Sequence, residues 1–192
     1  ALNRPLDPQS LRFPLLASEK LDGWRLLVMG DTLLTREWRD QPNRTLREHF
    51  ADLLALSREG FVFDCELWSP RLTLTEIQSV AQSKASTIPA HLGAYVFDCL
   101  TISEWFASRV PRFERRLDRL EKLLVARRPA HARLVPHLRI ESADSLMNLY
   151  RRTIDAGGEG LMLRTADGGY HHGRCRLCDK ILWKLKPETL AA

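Results

Sequence analysis

Lys20 opens the run Lys20-Leu21-Asp22-Gly23-Trp24-Arg25, and a lysine amine relieved of its proton is a nucleophile. Desolvation or nearby cations disfavour the ammonium form and activate such a group. Alternation over residues 181–186 sets Lys184 and Lys186 on one face of a predicted strand, with Ile181, Trp183 and Leu185 on the other. Two lysines side by side on an otherwise well-packed strand call for a negative charge opposite them. A second cationic pair follows from a predicted hairpin. Residues 26–29 and 32–35 read as strands joined by Gly30-Asp31, and that register sets Arg25 opposite Arg36. Guanidinium groups directly across a ladder repel unless an anion lies between or near them. Asp64 and Glu66 share one face of a predicted strand over 61–68, leaving Phe61, Phe63, Cys65 and Leu67 on the other. The opposed cations are a first sign of a phosphate site.

The elements that must hold these side chains are legible as periodic segments. Thr45-x-x-Glu48 reads as a capping box opening a helix with Leu46, Phe50, Leu53 and Leu54 inward, which ends before Gly60. Thr73-x-x-Glu76 opens a second helix through about Ser83, with Ile77, Val80 and Ala81 inward. Residues 94–100 read as a buried strand, and 111–126 as a helix with Phe113, Leu117, Leu120 and Leu124 on its apolar stripe. Ser142 caps a helix through Leu146, Leu149, Tyr150 and Ile154 that Gly157-Gly158 terminates, and a strand follows over 159–164. Mixed helices and strands with hairpins, and no regular βαβ repeat, predict an α+β fold of largely antiparallel sheets flanked by helices. No repeat or low-complexity linker divides the chain, so one domain over 1–192 is expected.

Composition bounds the rest. With 192 residues, 44% of them hydrophobic, the chain can bury one core, or a core shared between two small lobes, which excludes a disordered or collagen-like chain. No apolar run approaches the roughly 18 residues that cross a bilayer, so a soluble, cytoplasmic protein is expected. Cys65, Cys99, Cys175 and Cys178 are too scattered for a disulfide framework, which favours a reducing compartment. His171, His172, Cys175 and Cys178 could supply four zinc ligands, but their spacing is unlike the usual finger patterns and incidental thiols are the preferred reading. The formal net charge is +5, and residues 109–139 carry ten Lys or Arg against three Asp or Glu. That stretch suits a polyanion, or else is a solvated helix face.

Taken in order, Lys20-Leu-Asp-Gly-Trp-Arg25, Thr35-Arg36, Asp64-Cys65-Glu66, Val96-Phe97-Asp98, Glu159-Gly-Leu-Met-Leu-Arg164 and Trp183-Lys184-Leu185-Lys186 resemble the motif series of the covalent nucleotidyltransferase superfamily, which comprises polynucleotide ligases and mRNA-capping enzymes. Pro14-Leu-Leu-Ala-Ser-Glu-Lys20, Leu34-Thr-Arg-Glu-Trp-Arg-Asp-Gln-Pro-Asn43 and Gly169-Tyr-His-His-Gly-Arg174 are most similar to the small ATP-dependent DNA ligases of viruses and bacteria. The resemblance implies a nucleotide cleft between sheets, a lysyl-AMP adduct at Lys20, and transfer of AMP to a DNA 5′-phosphate before the nick is sealed. It implies that Ser18, Glu19, Lys20, Arg25, Arg36, Glu66, Phe97, Glu159, Lys184 and Lys186 bind the nucleotide, with Glu66 on the ribose, Phe97 stacked on adenine, and the two lysines on the α-phosphate. Asp22 and Arg25 would organise the nick terminus, Arg36 and Arg174 its 5′-phosphate, and Glu159 with Glu66 would serve Mg²⁺. The implied cofactors are ATP and Mg²⁺, and the implied partner is nicked duplex DNA bound by a monomer.

Three departures stand out. Cys65 replaces the glycine of the family's Asp-Gly-Glu strand, where close backbone approach is expected. Ser18 stands where many ligases carry a glutamate that reads adenine. Family members continue into an OB-fold domain that the residues after Pro187 do not supply, so the expectation is weak sealing of pre-adenylylated nicks and slow self-adenylylation. An RNA ligase, a capping guanylyltransferase and a non-catalytic nucleic-acid-binding module using residues 109–139 are the rival readings.

Overall fold

The computed structural model describes residues 6–84, 87–172 and 181–190. Among them run strands β1 (Leu15–Glu19), β2 (Trp24–Met29), β3 (Thr32–Leu34), β4 (Phe61–Trp68), β5 (Gly93–Thr101), β6 (Ala132–Leu134), β7 (Leu138–Ile140), β8 (Leu161–Thr165) and β9 (Leu182–Leu185). The helices are α1 (Thr45–His49), α2 (Ala51–Arg58), α3 (Leu74–Gln82), α4 (Ile102–Trp105), α5 (Phe113–Arg127) and α6 (Ala143–Asp155). The α+β class and the predominance of antiparallel pairing are as expected, β5–β6 being the parallel exception. No described helix is long and apolar enough to cross a membrane.

The chain divides into two compact units, each with its own apolar cluster. The first unit comprises Ala1–Leu21, Arg112–Glu114 and Pro136–Ala192. Its sheet has the order β7-β1-β8-β9. Leu15, Ala17, Leu161, Leu163 and Leu185 lie on one face and pack with Leu146 and Tyr150 of α6. Ser142 accepts the Ser145 N–H to cap α6. At the other end Gly157 takes φ +85°, its N–H donates to the Ile154 carbonyl, and the Gly158 N–H donates to the Thr153 carbonyl. That pair of bonds is the left-handed stop expected of Gly157-Gly158.

The second unit comprises Asp22–Pro111 and Arg115–Val135, with a sheet of order β3-β2-β4-β5-β6. Leu26, Val28, Phe63, Cys65, Leu67, Val96 and Cys99 build its core with Leu46, Phe50, Leu53, Ile77 and Leu120 from the helices. Two local expectations are corrected here. Thr45 and Glu48 form no capping box, because Arg44 holds the N-cap position. The Thr45 N–H and hydroxyl instead donate to Oδ1 of the fully buried Asn43, and the predicted helix is divided at Phe50 into α1 and α2. The Thr73–Glu76 box forms as expected.

Candidate active site

The first unit gathers three of the expected residues at one end of its sheet. Lys20 follows β1, Glu159 precedes β8 and Lys186 follows β9. Because β8 runs antiparallel to both neighbours, its beginning lies beside the ends of β1 and β9. The Lys20 N–H donates to the Gly160 carbonyl at 2.9 Å. Gly160 takes φ +142°, and a β-carbon there would lie 2.2 Å from the Leu185 carbonyl oxygen, so only glycine permits this close approach. The Glu159 carboxylate accepts from Lys20 Nζ through Oε2 and from Lys186 Nζ through Oε1. Lys186 also pairs with Glu188 at 3.3 Å.

Lys20 thus has the expected cation Lys186 near it, with the Glu159 carboxylate between the two. Burial works against an ionised Glu159, but hydrogen bonds from Lys186 and Lys20 outweigh it and hold the carboxyl below its ordinary range. The Glu159 hydrogen bond raises the Lys186 ammonium above its ordinary value, with burial opposing. In register, Ser18, Met162 and Lys184 form a row across the sheet, on the face opposite the core, in phase with Lys20 and Lys186. Glu19 pairs with Leu161 and so belongs to the opposite face, where its carboxylate lies beside Gly158. It is not brought to the others.

The second unit assembles Arg25, Glu66 and Phe97. Arg25 is the ladder partner of Glu66, and its Nε and Nη2 donate to the two oxygens of Asp64. The Arg25 guanidinium lies over the Phe97 ring, 5.1 Å from its centroid. On β5 the pairing passes from Asp64↔Asp98 to Cys65↔Val96, so Phe97 is the extra residue of a β-bulge. Bulges re-aim side chains and cluster beside active sites. Phe97 accordingly stays partly exposed and outside the core cluster, unlike an ordinary strand aromatic. Gly23 fits against this strand pair because it lacks a β-carbon, which would lie 2.7 Å from Glu66 Cγ and 2.5 Å from the Leu67 carbonyl oxygen.

The structure corrects the pairing of Arg25 with Arg36. The hairpin register is as predicted, with Met29↔Thr32 and Leu27↔Leu34, but β3 stops at Leu34. The chain then turns, the Thr35 N–H donating to the Arg39 carbonyl, and exposed Arg36 lies in the turn rather than across from Arg25. Asp22 is also exposed. The Cys65 side chain is fully buried in the core, where burial and then the Asp64 charge push the thiol well up. Arg174, Cys175 and Cys178 lie outside the described residues.

Five of the ten basic residues over 109–139 are paired with carboxylates. Arg116 pairs with Asp98, both fully buried, while Arg119 pairs with Glu104, Lys122 with Asp118, Arg127 with Glu59 and Arg139 with Glu114 and Glu141. The sequence reading missed the Asp98–Arg116 pair and the Arg25–Asp64 pair. It also missed β1, whose only local signal is the short apolar run 15–17.

The family profile for the ATP dependent DNA ligase domain matches residues 9–186. This chain belongs to that family. The ligase domain is similar in fold to the Chlorella virus DNA ligase-adenylate, at 23% identity and TM-score 0.75, covering 97% of this chain and 69% of that one. It is similar also to a Lig E DNA ligase described as binding DNA with a minimal scaffold, at 27% identity and TM-score 0.73 over 96% of this chain and 67% of that one. The ATP-dependent DNA ligase of bacteriophage T7 in complex with ATP gives 18% identity and TM-score 0.68, covering 91% and 62%. Comparison with the curated proteins finds no match.

Proposed function

We propose that this ligase domain takes AMP from ATP onto Lys20 and passes it to a DNA 5′-phosphate at a nick. The observation that carries the proposal is the Glu159 carboxylate shared by Lys20 and Lys186, three residues distant in sequence and adjacent at one sheet end. Lys20 Nζ bonds to the α-phosphorus as the bond to pyrophosphate breaks, and the ammonium proton must first leave Nζ. Lys186, with Lys184 on the same face, offsets charge on the α-phosphate oxygens. Glu66 is assigned to the ribose hydroxyls, Phe97 to the adenine face, Asp22 and Arg25 to organising the nick terminus, and Arg36 and Arg174 to the nucleotide or the nick 5′-phosphate. The motif order of the family supports these roles.

Among the described residues no three His, Cys, Asp or Glu form a ready-made metal cage. The partly exposed, ionised Glu159 nevertheless fits Mg²⁺, which typically takes one or two carboxylates and completes its shell with water and substrate phosphates. Held by Glu159, Mg²⁺ would supply charge neutralisation on the triphosphate.

Intact mass after MgATP treatment tests the proposal. The expected result is a gain of one AMP, absent from Lys20→Ala, with AMP release on nicked DNA. An unmodified wild-type chain, or equal labelling of Lys20→Ala, contradicts it. Release on nicked RNA alone moves the reading to an RNA ligase.

A further inference from the structure

We infer that Glu188 tunes how strongly Lys186 holds a nucleotide phosphate, an inference that rests on the phosphate role assigned to Lys186 above. Lys186 Nζ lies between two carboxylates, Glu159 and, at 3.3 Å, Glu188. Glu159 is shared with Lys20, whereas Glu188 belongs to the 3-10 turn Pro187–Thr189 immediately after Lys186. That turn is firmly tied. The Lys186 N–H donates to Thr189 Oγ1 at 2.7 Å, the Thr189 hydroxyl approaches the Lys186 carbonyl at 3.0 Å, and the Leu6 N–H donates to the Thr189 carbonyl at 2.6 Å. Pro187 fixes φ at the first position of the turn. Glu188 is therefore presented to the Lys186 ammonium by the backbone.

The electrostatic consequence has a definite sign. A phosphate that approaches Lys186 competes with Glu188 for the same ammonium and is repelled by the same carboxylate. Lys20, Glu159, Lys186 and Glu188 form a row of alternating charges that sums to zero, so Glu188 cancels the excess positive charge the other three would present. Glu188 thus weakens ground-state binding of the nucleotide. Glu188 pairs with Lys186 and not with Lys20, and its charge acts alike on the bound nucleotide and on the transition state, so it changes binding and leaves the maximal rate unchanged. Glu188 is a positioning residue acting through Lys186.

The test follows the rate of AMP-adduct formation against MgATP concentration for wild type, Glu188→Gln, Glu188→Lys and Glu188→Asp. Because Glu188 is 59% exposed, the effect is that of a screened pair. Glu188→Gln is expected to lower the half-saturating ATP concentration about two- to fivefold at low salt, with the maximal rate unchanged, and the gap should close as salt rises toward about 0.5 M. Charge reversal in Glu188→Lys should roughly square that factor, and Glu188→Asp should behave as wild type. An unchanged or raised half-saturating concentration in Glu188→Gln, with the adduct forming normally in wild type, overturns this inference alone. No adduct in wild type overturns the functional reading and this inference with it. A lowered maximal rate restored by Asp would assign Glu188 to catalysis and overturn the inference as stated.

Discussion

Asp64 binds Arg25 through both carboxylate oxygens although the strand register places Glu66, not Asp64, opposite Arg25. The ion pair is diagonal: Arg25 reaches along the face that Asp64 and Glu66 share. Asp64 is 1% exposed and Arg25 26%, so one end of the pair is held in the protein while the guanidinium reaches the partly exposed Phe97 ring. Directly across the next ladder stands Asp98, whose own buried partner is Arg116. Two carboxylates facing one another across strands would repel. Each is offset by an arginine.

Replacing Asp64 with Asn should therefore lower stability and misplace Arg25 together. Removing one partner of a fully buried pair costs about 3–5 kcal/mol, and the quarter exposure of Arg25 reduces the expectation to about 2 kcal/mol. Urea unfolding measures the first effect. Adduct formation should fall at least about tenfold under conditions where the variant is folded, and a destabilised variant with full activity would separate Arg25 from the reaction.

Gly160→Ala should damage the site more than the neighbouring change Gly157→Ala. Both glycines have positive φ, but a β-carbon at 160 meets the Leu185 carbonyl oxygen at 2.2 Å while one at 157 meets nothing within 4 Å. The cost at 157 is about 1–2 kcal/mol of backbone strain. At 160 the main chains of β8 and β9 must separate as well, which raises the cost beyond about 3 kcal/mol and pulls Glu159 from Lys186. Thermal melts and adduct formation on both variants check this, and equal effects would refute it.

His49 predicts a pH dependence of stability. Burial and the stacked His131 ring hold its imidazole below the ordinary value of 6.5, against a hydrogen bond to the Leu92 carbonyl. The unfolded chain binds a proton at pH values where the folded chain does not. Stability from this group is therefore complete above 6.5 and is lost as pH falls from there through the lower folded value. Urea midpoints between pH 8 and 5 should decline for wild type and decline less for His49→Gln, whose amide can still donate to Leu92. Parallel slopes would remove His49 as the cause.

Much of the local structure was readable because it depends on neighbours in sequence. Ser142 and Thr73 satisfy backbone donors three residues away, Gly157 supplies the left-handed turn, and alternation in β4 separates Asp64 from the core face. The failures also have local causes. Thr45 was outcompeted by Asn43 for the exposed helix donors, and the hairpin ended before Arg36 because the chain from Thr35 to Arg39 closes on itself. The bulge at Phe97 leaves no mark in composition.

Residue types and their order were enough to point to an amine nucleophile, phosphate-binding lysines and the ligase family, since chemistry of that kind resides in side-chain identity. The amino-acid order could not say that a carboxylate sits on Lys20. Lys20 and Glu159 are 139 positions apart, and they meet only because β1 lies beside β8 in antiparallel register. Strand order and register are settled by burying Leu15, Ala17, Leu161, Leu163 and Leu185 on one common face, a property of the whole sheet rather than of any one segment.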